Sequence, residues 1–330
     1  MKHRLLLLCF AATACDRPAD DKLEVVRAVV KTHPSAAPIF IADEEGYFAD
    51  EGIRIEFVEA PTRSLQAIPL LEQGSVDVLS ASVSSGLFGA AATGAKLRMV
   101  ADRGHVSNDS CDFNGVMGAS KAFASDTPST NEIRGKTFSI NYAVTAEFVT
   151  DRFLESKGLT AKDVRAVSLN EVMELQAFNS GAIHATHATE PYIAHFKREG
   201  HRVIGRASDF APRAVYGVIV YGPTLTQRNR ALGQRFMNAY LRGVRQHAEG
   251  PTDRNVEIIS SRMRFDPALV RESCFPVIAQ DGRIDAEWMM EFQKWSMEKG
   301  HTSRIVPMDD AIDGSFARAA SARLDSIARR

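Results

Sequence analysis

Residues 23–58 narrow the choice of fold more than any other stretch. The run 23–31 carries Val25, Val26, Val29 and Val30, the near-continuous apolar pattern of a strand buried in a parallel sheet. Ile39 and Ala42 then come at helical spacing up to Gly46-Tyr47-Phe48, with Pro38 suited to a first turn. Gly52 supplies the permissive backbone of a tight turn. Beyond it Ile53, Ile55 and Phe57 alternate with Arg54 and Glu56, which is the period of a strand. Strand, loop, helix, turn and strand make one βαβ unit.

The alternation continues. Residues 62–73 read as a helix with Leu65, Ile68, Leu70 and Leu71 on its apolar face and Gly74 at its end; Pro69 predicts a kink or an early break. Strands are predicted at 76–80 and 97–101, with a small-residue helix at 84–93 between them. This βαβα order predicts a mostly parallel sheet covered on both faces. A second series begins near His105. Its strands fall at 111–117, 135–141, 164–169, 184–189, 203–204 and 215–221, and its helices at 145–156, 172–178 and 191–199, with Phe148, Phe153 and Leu154 inward on the first. Pro223 marks a break. The remainder is helical, at 227–248, 253–263, 267–272, 285–299 and 314–328. Trp288, Phe292 and Trp295 share one helix face, and a core stripe is favoured over a ligand-binding stripe.

With 330 residues, 45% of them apolar, the chain can bury two cores. A formal net charge of −1 gives no electrostatic case for nucleic acid. Lys2, His3 and Arg4, then the apolar run 5–11, then Ala12-Thr13-Ala14-Cys15 form an export signal over residues 1–14. That run is shorter than the roughly 20 residues a spanning helix needs, and no second run qualifies. Two readings of the cut stand: an ordinary small-residue site, or a lipobox with lipidated Cys15 as the new terminus and Leu replaced by Ala12. Residues 15–22 would then be the anchor and a polar tether. Cys111 and Cys274 remain as an even pair in an oxidising compartment, either bonded or two buried thiols.

Ligands of open parallel sheets sit outside the carboxyl ends of the strands, where helix N-termini offer free N–H groups. The candidate ligand contacts are therefore His33 and Ser35; Thr62, Arg63 and Ser64; Ser80 and Ser82; Asn141 and Tyr142; Glu190 and Tyr192. Each serine reads equally as a helix cap. Arg63 is an anion partner or a solvated surface residue. Tyr142 and Tyr192 are ligand platforms or core fillers. Catalytic readings fare worse. His184 and His187 lie three apart on a strand, hence on opposite faces, and cannot share a metal ion. The chain has no HExxH, no phosphate-binding Gly-Lys-Ser/Thr loop and no GxSxG elbow. His33 is a conceivable base, but with no nucleophile paired to it the sequence favours a binding contact.

The segments APIFIADEEGYFADEGIRIEFVEA, LLEQGSVDVLSAS and AAATGAKLRMVA, in that order, resemble the opening of periplasmic solute-binding proteins of ABC importers. The matching branch binds nitrate, taurine, alkanesulfonates and thiamine-pyrimidine precursors. The resemblance covers residues 23–102 best and fades beyond 221. It implies a type II periplasmic binding fold: two doubly wound α/β lobes joined by two crossings, near 103–108 and 215–223, with C-terminal helices. Lobe one would be 23–104 and 223–330, and lobe two 105–222. It further implies a monomer without cofactor or metal that hands a small organic solute to an inner-membrane permease, touching the membrane only through its lipid. Asp16 beside Cys15 resembles an inner-membrane retention signal. Asn141 to Thr145 lies where relatives place a ligand-contacting loop. In the run 188–192, Thr189 stands where relatives often have an aromatic residue. The ligand thus stays open among sulfonate, nitrate, pyrimidine, flavin and a larger hydrophobic molecule. Two alternatives share the scaffold: an exported enzyme, and a ligand sensor for a membrane receptor. Thiamine-pyrimidine synthases resemble the fold too, but their Cys-rich cluster is absent here.

Overall fold

The computed structural model describes residues 23–59, 64–108, 111–169 and 171–329. The export signal, Cys15 and the tether lie outside the described residues, as do Thr62 and Arg63. Ten strands are described: β1 (Glu24–Val30), β2 (Ile53–Val58), β3 (Val78–Ser82), β4 (Arg98–Asp102), β5 (Asn114–Gly118), β6 (Thr137–Ser139), β7 (Arg165–Val167), β8 (Ala185–Thr189), β9 (Arg202–Arg206) and β10 (Gly217–Tyr221). They form two five-stranded sheets, ordered β2-β1-β3-β10-β4 and β7-β6-β8-β5-β9.

The opening unit forms as its periodicity predicts. β1 pairs in parallel with β2 from Glu24 opposite Ile53 to Val29 opposite Val58, and with β3 from Ala28 opposite Val78. Between β1 and β2 run the Ala37–Glu44 helix and a short helix, Tyr47–Asp50, separated by Gly46 at φ 73°. Each sheet departs from the all-parallel pattern at one strand. β10 lies antiparallel between β3 and β4, and β5 antiparallel between β8 and β9. Each is the strand that the chain lays down just after crossing from the other sheet.

That arrangement corrects one boundary. Residues 215–222, assigned from the sequence to lobe two, include β10, which pairs with lobe one's β3 and β4. The returning crossing therefore precedes Gly217. The two crossings run side by side: Arg103 N–H donates to Gly217 C=O (2.9 Å), Tyr216 N–H to Gly104 C=O (2.7 Å) and Val106 N–H to Ala214 C=O (2.9 Å). A third segment joins them where His105 N–H reaches Val277 C=O at 2.9 Å. The buried Asp102 carboxylate fastens this junction, accepting from Gly104 N–H (3.0 Å), Ala279 N–H (2.8 Å) and the His105 ring (2.8 Å).

Pro69 breaks the predicted 62–73 helix as its missing N–H requires. A 3₁₀ turn, Ser64–Ala67, gives way to a helix, Ile68–Gln73, in whose first turn Pro69 leaves no hydrogen bond unmade. Lobe one's core packs Val26, Ala28 and Ile219 under the Ala37–Glu44, Arg230–His247 and Ser315–Ala328 helices. A Cβ on Gly243 would lie 2.2 Å from Pro38 O, so that glycine sets how closely two of these helices approach.

Trp288, Phe292 and Trp295 form the expected core stripe, and the core they build spans both lobes. Phe148, from lobe two's Thr145–Ser156 helix, has its ring centroid 5.5 Å from Trp288, 5.5 Å from Trp295 and 6.2 Å from Phe292. Trp295 Nε1–H also donates to the Asp151 carboxylate (2.9 Å), which pairs with Lys299 Nζ at 2.9 Å. Cys111 and Cys274 are bonded, with Cα atoms 5.8 Å apart across 163 residues of sequence. The bond ties the first crossing to lobe one's C-terminal segment.

Candidate functional site

Where the strand ends of the two sheets face each other, the lobes meet through polar groups. His33 lies just past β1 and caps a 3₁₀ turn, Pro34–Ala36, its Nδ1 accepting Ser35 N–H at 3.3 Å. The same Nδ1 is 3.0 Å from Ser35 Oγ, and Nε2 is 3.2 Å from Thr189 Oγ1 of lobe two. A second bridge forms beyond β3. Ser85 N–H donates to Ala143 C=O (2.9 Å), and Thr145 N–H to Val83 C=O (3.3 Å). Ala143 holds φ 62°, a strained conformation for a residue with a Cβ, in the loop that opens the Thr145–Ser156 helix. Ser84 caps the facing Ser85–Ala92 helix through Leu87 N–H.

Two buried groups complete this region, and sequence reasoning misses both. Arg103 comes directly after β4 and is 3% exposed. Its Nη1 donates to Ser35 Oγ (2.6 Å) and its Nη2 to Ala81 C=O (3.0 Å). Among the described residues its Nε has no partner, and Arg103 forms no ion pair with a carboxylate. Burial draws its pKa down to about 10, so it stays charged at neutral pH. A Cβ on Gly217 would fall 2.3 Å from the guanidinium, so glycine there makes the room. The second group is a chain of three. His187 Nε2 lies 2.7 Å from Tyr216 Oη, which donates to Asn114 Oδ1 at 2.8 Å. Since the tyrosine gives its proton to Asn114, His187 must donate to the tyrosine. The rule that leads to His33, inspecting the residues at and just past each strand's carboxyl end, reaches Arg103 when applied to β4.

The predicted contacts divide. His33 and Ser35 are brought to this region; Ser80 is buried within β3, and its Oγ has no partner among the described residues. Asn141 is half-buried in the loop before Ala143. Ser82, at the end of β3, is exposed, and Tyr142 is 49% exposed, outside the buried cluster. Glu190 is buried: its carboxylate accepts Ala194 N–H (3.0 Å) and Cys274 N–H (3.4 Å), and burial raises its pKa. Tyr192 packs edge-on to Phe265, centroids 6.2 Å apart. Ser64 opens its 3₁₀ turn. His184 and His187 go to separate partners, His184 Nδ1 accepting Thr137 N–H at 2.9 Å. The expectation that His33 lacks a paired hydroxyl is corrected, since Ser35 Oγ lies beside it.

Burial holds His33 down to about 3 and His187 and His247 to about 4. In the unfolded chain each returns to about 6.5. These histidines therefore contribute fully above pH 6.5, and their contribution is lost as pH falls toward 4, at ~1.4 kcal/mol per pH unit for each. Burial lowers His184 and His201 in the same sense, and three groups act the other way. Burial lowers His105, but its hydrogen bond to Asp102 and that charge outweigh this and leave it raised, and Glu190 and Asp43 are raised by burial. With five lowered histidines against three raised groups, the urea midpoint is expected to fall between pH 6.5 and 4. In His247→Leu the fall is expected to be shallower.

The profile of the NMT1/THI5-like family matches residues 33–254, two thirds of the chain. No curated protein matches the sequence. Solved structures do match in shape. A ligand-binding component of an ABC-type import system from Staphylococcus aureus, with zinc bound, superposes at TM-score 0.73 with 14% identity, covering 90% of this chain and 99% of that one. The alkanesulfonate-binding protein SsuA from Xanthomonas axonopodis pv. citri, bound to MOPS, gives 0.64 with 18% identity over 86% and 94%. A point mutant of the desulfurization enzyme DszB, in complex with biphenyl-2-sulfinic acid, gives 0.63 with 13% identity over 91% and 99%. At these identities the neighbours establish the fold. Two α/β lobes joined by paired crossings, with the profile spanning both, place this chain in the NMT1/THI5-like family, on the type II periplasmic binding fold.

Proposed function

We propose that the protein is the solute-binding component of an ABC importer, closing its two lobes on a small molecule and presenting it to an inner-membrane permease. The observation that carries this reading is the pair of contacts across the strand ends, His33 with Thr189 and Ser85 with Ala143. Helix starts of both lobes converge there on one place, as clamping a guest requires. The import-system neighbours support the reading. Export, lipidation of Cys15 and retention at the inner membrane rest on the N-terminal pattern, a monomeric state rests on the family resemblance, and all belong to the same proposal. No helix among the described residues is long and apolar enough to cross a membrane. The test is calorimetric titration and thermal unfolding against sulfonates, nitrate, pyrimidines and flavins. One of these classes is expected to bind and raise the melting temperature; no response to any of them would contradict the reading.

A second reading, an exported enzyme, is favoured by one observation: Ser35 Oγ sits between His33 Nδ1 and Arg103 Nη1. Against it, a histidine held to about 3 is a weak general base at neutral pH. Turnover of a bound ester or sulfinate, abolished in Ser35→Ala with binding retained, would establish this second reading.

A further inference from the structure

We propose that Arg103 is the specificity-determining residue of the cleft, and that the ligand presents a deprotonated oxyanion, a sulfonate, carboxylate or phosphate, to its guanidinium. The inference rests on the clamp reading above and adds the ligand's chemical class. A charge taken out of water without a counter-charge is costly. Even at the surface the other well-engaged arginines of this chain pair with carboxylates: Arg213 with Asp285 and Glu287, Arg262 with Asp43 and Glu44, Arg254 with Glu45 and Glu257. All of these are substantially exposed, whereas the deeply buried Arg103 meets only neutral acceptors, a hydroxyl and a carbonyl.

Its neighbour in sequence, Asp102, attracts it from a distance but makes no contact with it, its carboxylate being held by two backbone N–H groups and His105. A guanidinium has five N–H donors, and the two bonds described leave Nε without a partner among the described residues. Ser80 Oγ, one residue before the carbonyl that Arg103 engages, is likewise without a partner among them. The Pro34–Ala36 turn leads into the Ala37–Glu44 helix, whose N-terminus adds partial positive charge. A buried cation with no carboxylate in contact and a helix start thus come together, through Ser35, at the junction that both crossings share.

The test uses the full chain in calorimetry and thermal unfolding. Propanesulfonate is compared with propanesulfonamide, butyrate with butyramide, propyl phosphate with propanol, and inorganic sulfate with chloride at matched ionic strength. At least one anion is expected to bind roughly 100-fold more tightly than its neutral mate, and the best of the three organic acids identifies the head group. Arg103→Gln is expected to remove that difference. Arg103→Lys, which keeps the charge but not the Nε arm, is expected to lose roughly tenfold. Equal affinity for neutral mates, or undiminished anion affinity in folded Arg103→Gln, would overturn the inference and leave the clamp reading standing. If Arg103→Gln does not fold, undiminished affinity in Arg103→Lys overturns it equally. If no probe of either charge binds the wild type, the inference fails, and the wider titration with pyrimidines and flavins decides the clamp reading separately.

Discussion

Breaking the Cys111–Cys274 bond is expected to produce the largest loss of stability available from a change of so few atoms. The bond closes a loop of 163 residues. Releasing a loop that long restores chain entropy to the unfolded state worth about 5 kcal/mol in the loop-closure account, and ~2–4 kcal/mol is typical of native bonds. The loop contains lobe two and the returning crossing, so the bond constrains nearly everything that must find its place relative to lobe one. Urea unfolding of the oxidised protein, of the protein under reductant, and of the Cys111→Ser, Cys274→Ser double variant checks this. The reduced form and the double variant should agree. Midpoints unmoved by either would mean that the junction of His105 with Val277 already fixes the segment.

Phe148→Ala is expected to cost about 3–5 kcal/mol, the range for truncating a buried aromatic side chain. Its ring lies against Trp288, Phe292 and Trp295, so the cavity would open between the lobes rather than inside one. Phe178 is the control. It is equally buried but packs on Phe196 within lobe two, centroids 4.9 Å apart. Both variants should lose comparable stability in denaturant. Only Phe148→Ala should also weaken binding of the ligand found by titration, because closing the lobes uses that contact. Equal binding by both variants would show that the aromatic cluster is passive support.

How far the sequence reaches depends on the range of the interaction concerned. The βαβ opening is legible because strand and helix periods are local, and the helices at Asp253–Met263 and Pro267–Glu272 fall where their own caps and spacing put them. Pro69 announces its break for the same reason. β10 is legible as a strand but not as a member of lobe one. An apolar run looks the same in either sheet, and only its pairing with Ser82 through Val78 decides. The disulfide is undecidable from sequence because the crossings, not the spacing, bring Cys111 to Cys274. At the site, candidates are selected by residue type just past strand ends, which takes in His33 and Ser35 beside Arg103 and also Tyr142, which is half exposed. Arg103 lies where the strand-end rule points, but nothing in its local sequence marks it as buried. Its burial is imposed by Ser35, Ala81 and Gly217, three residues that come from other parts of the chain.

The central claim, that both lobes grip one solute, is tested most directly by amide hydrogen exchange with and without whichever titrated ligand binds best. The account predicts slower exchange in four places at once: at Ser35 to Ala37 and Ser84 to Leu87 in lobe one, and at Ala143 to Thr145 and Thr189 to Ala194 in lobe two. Protection confined to one lobe, or lying away from these strand ends, would contradict it.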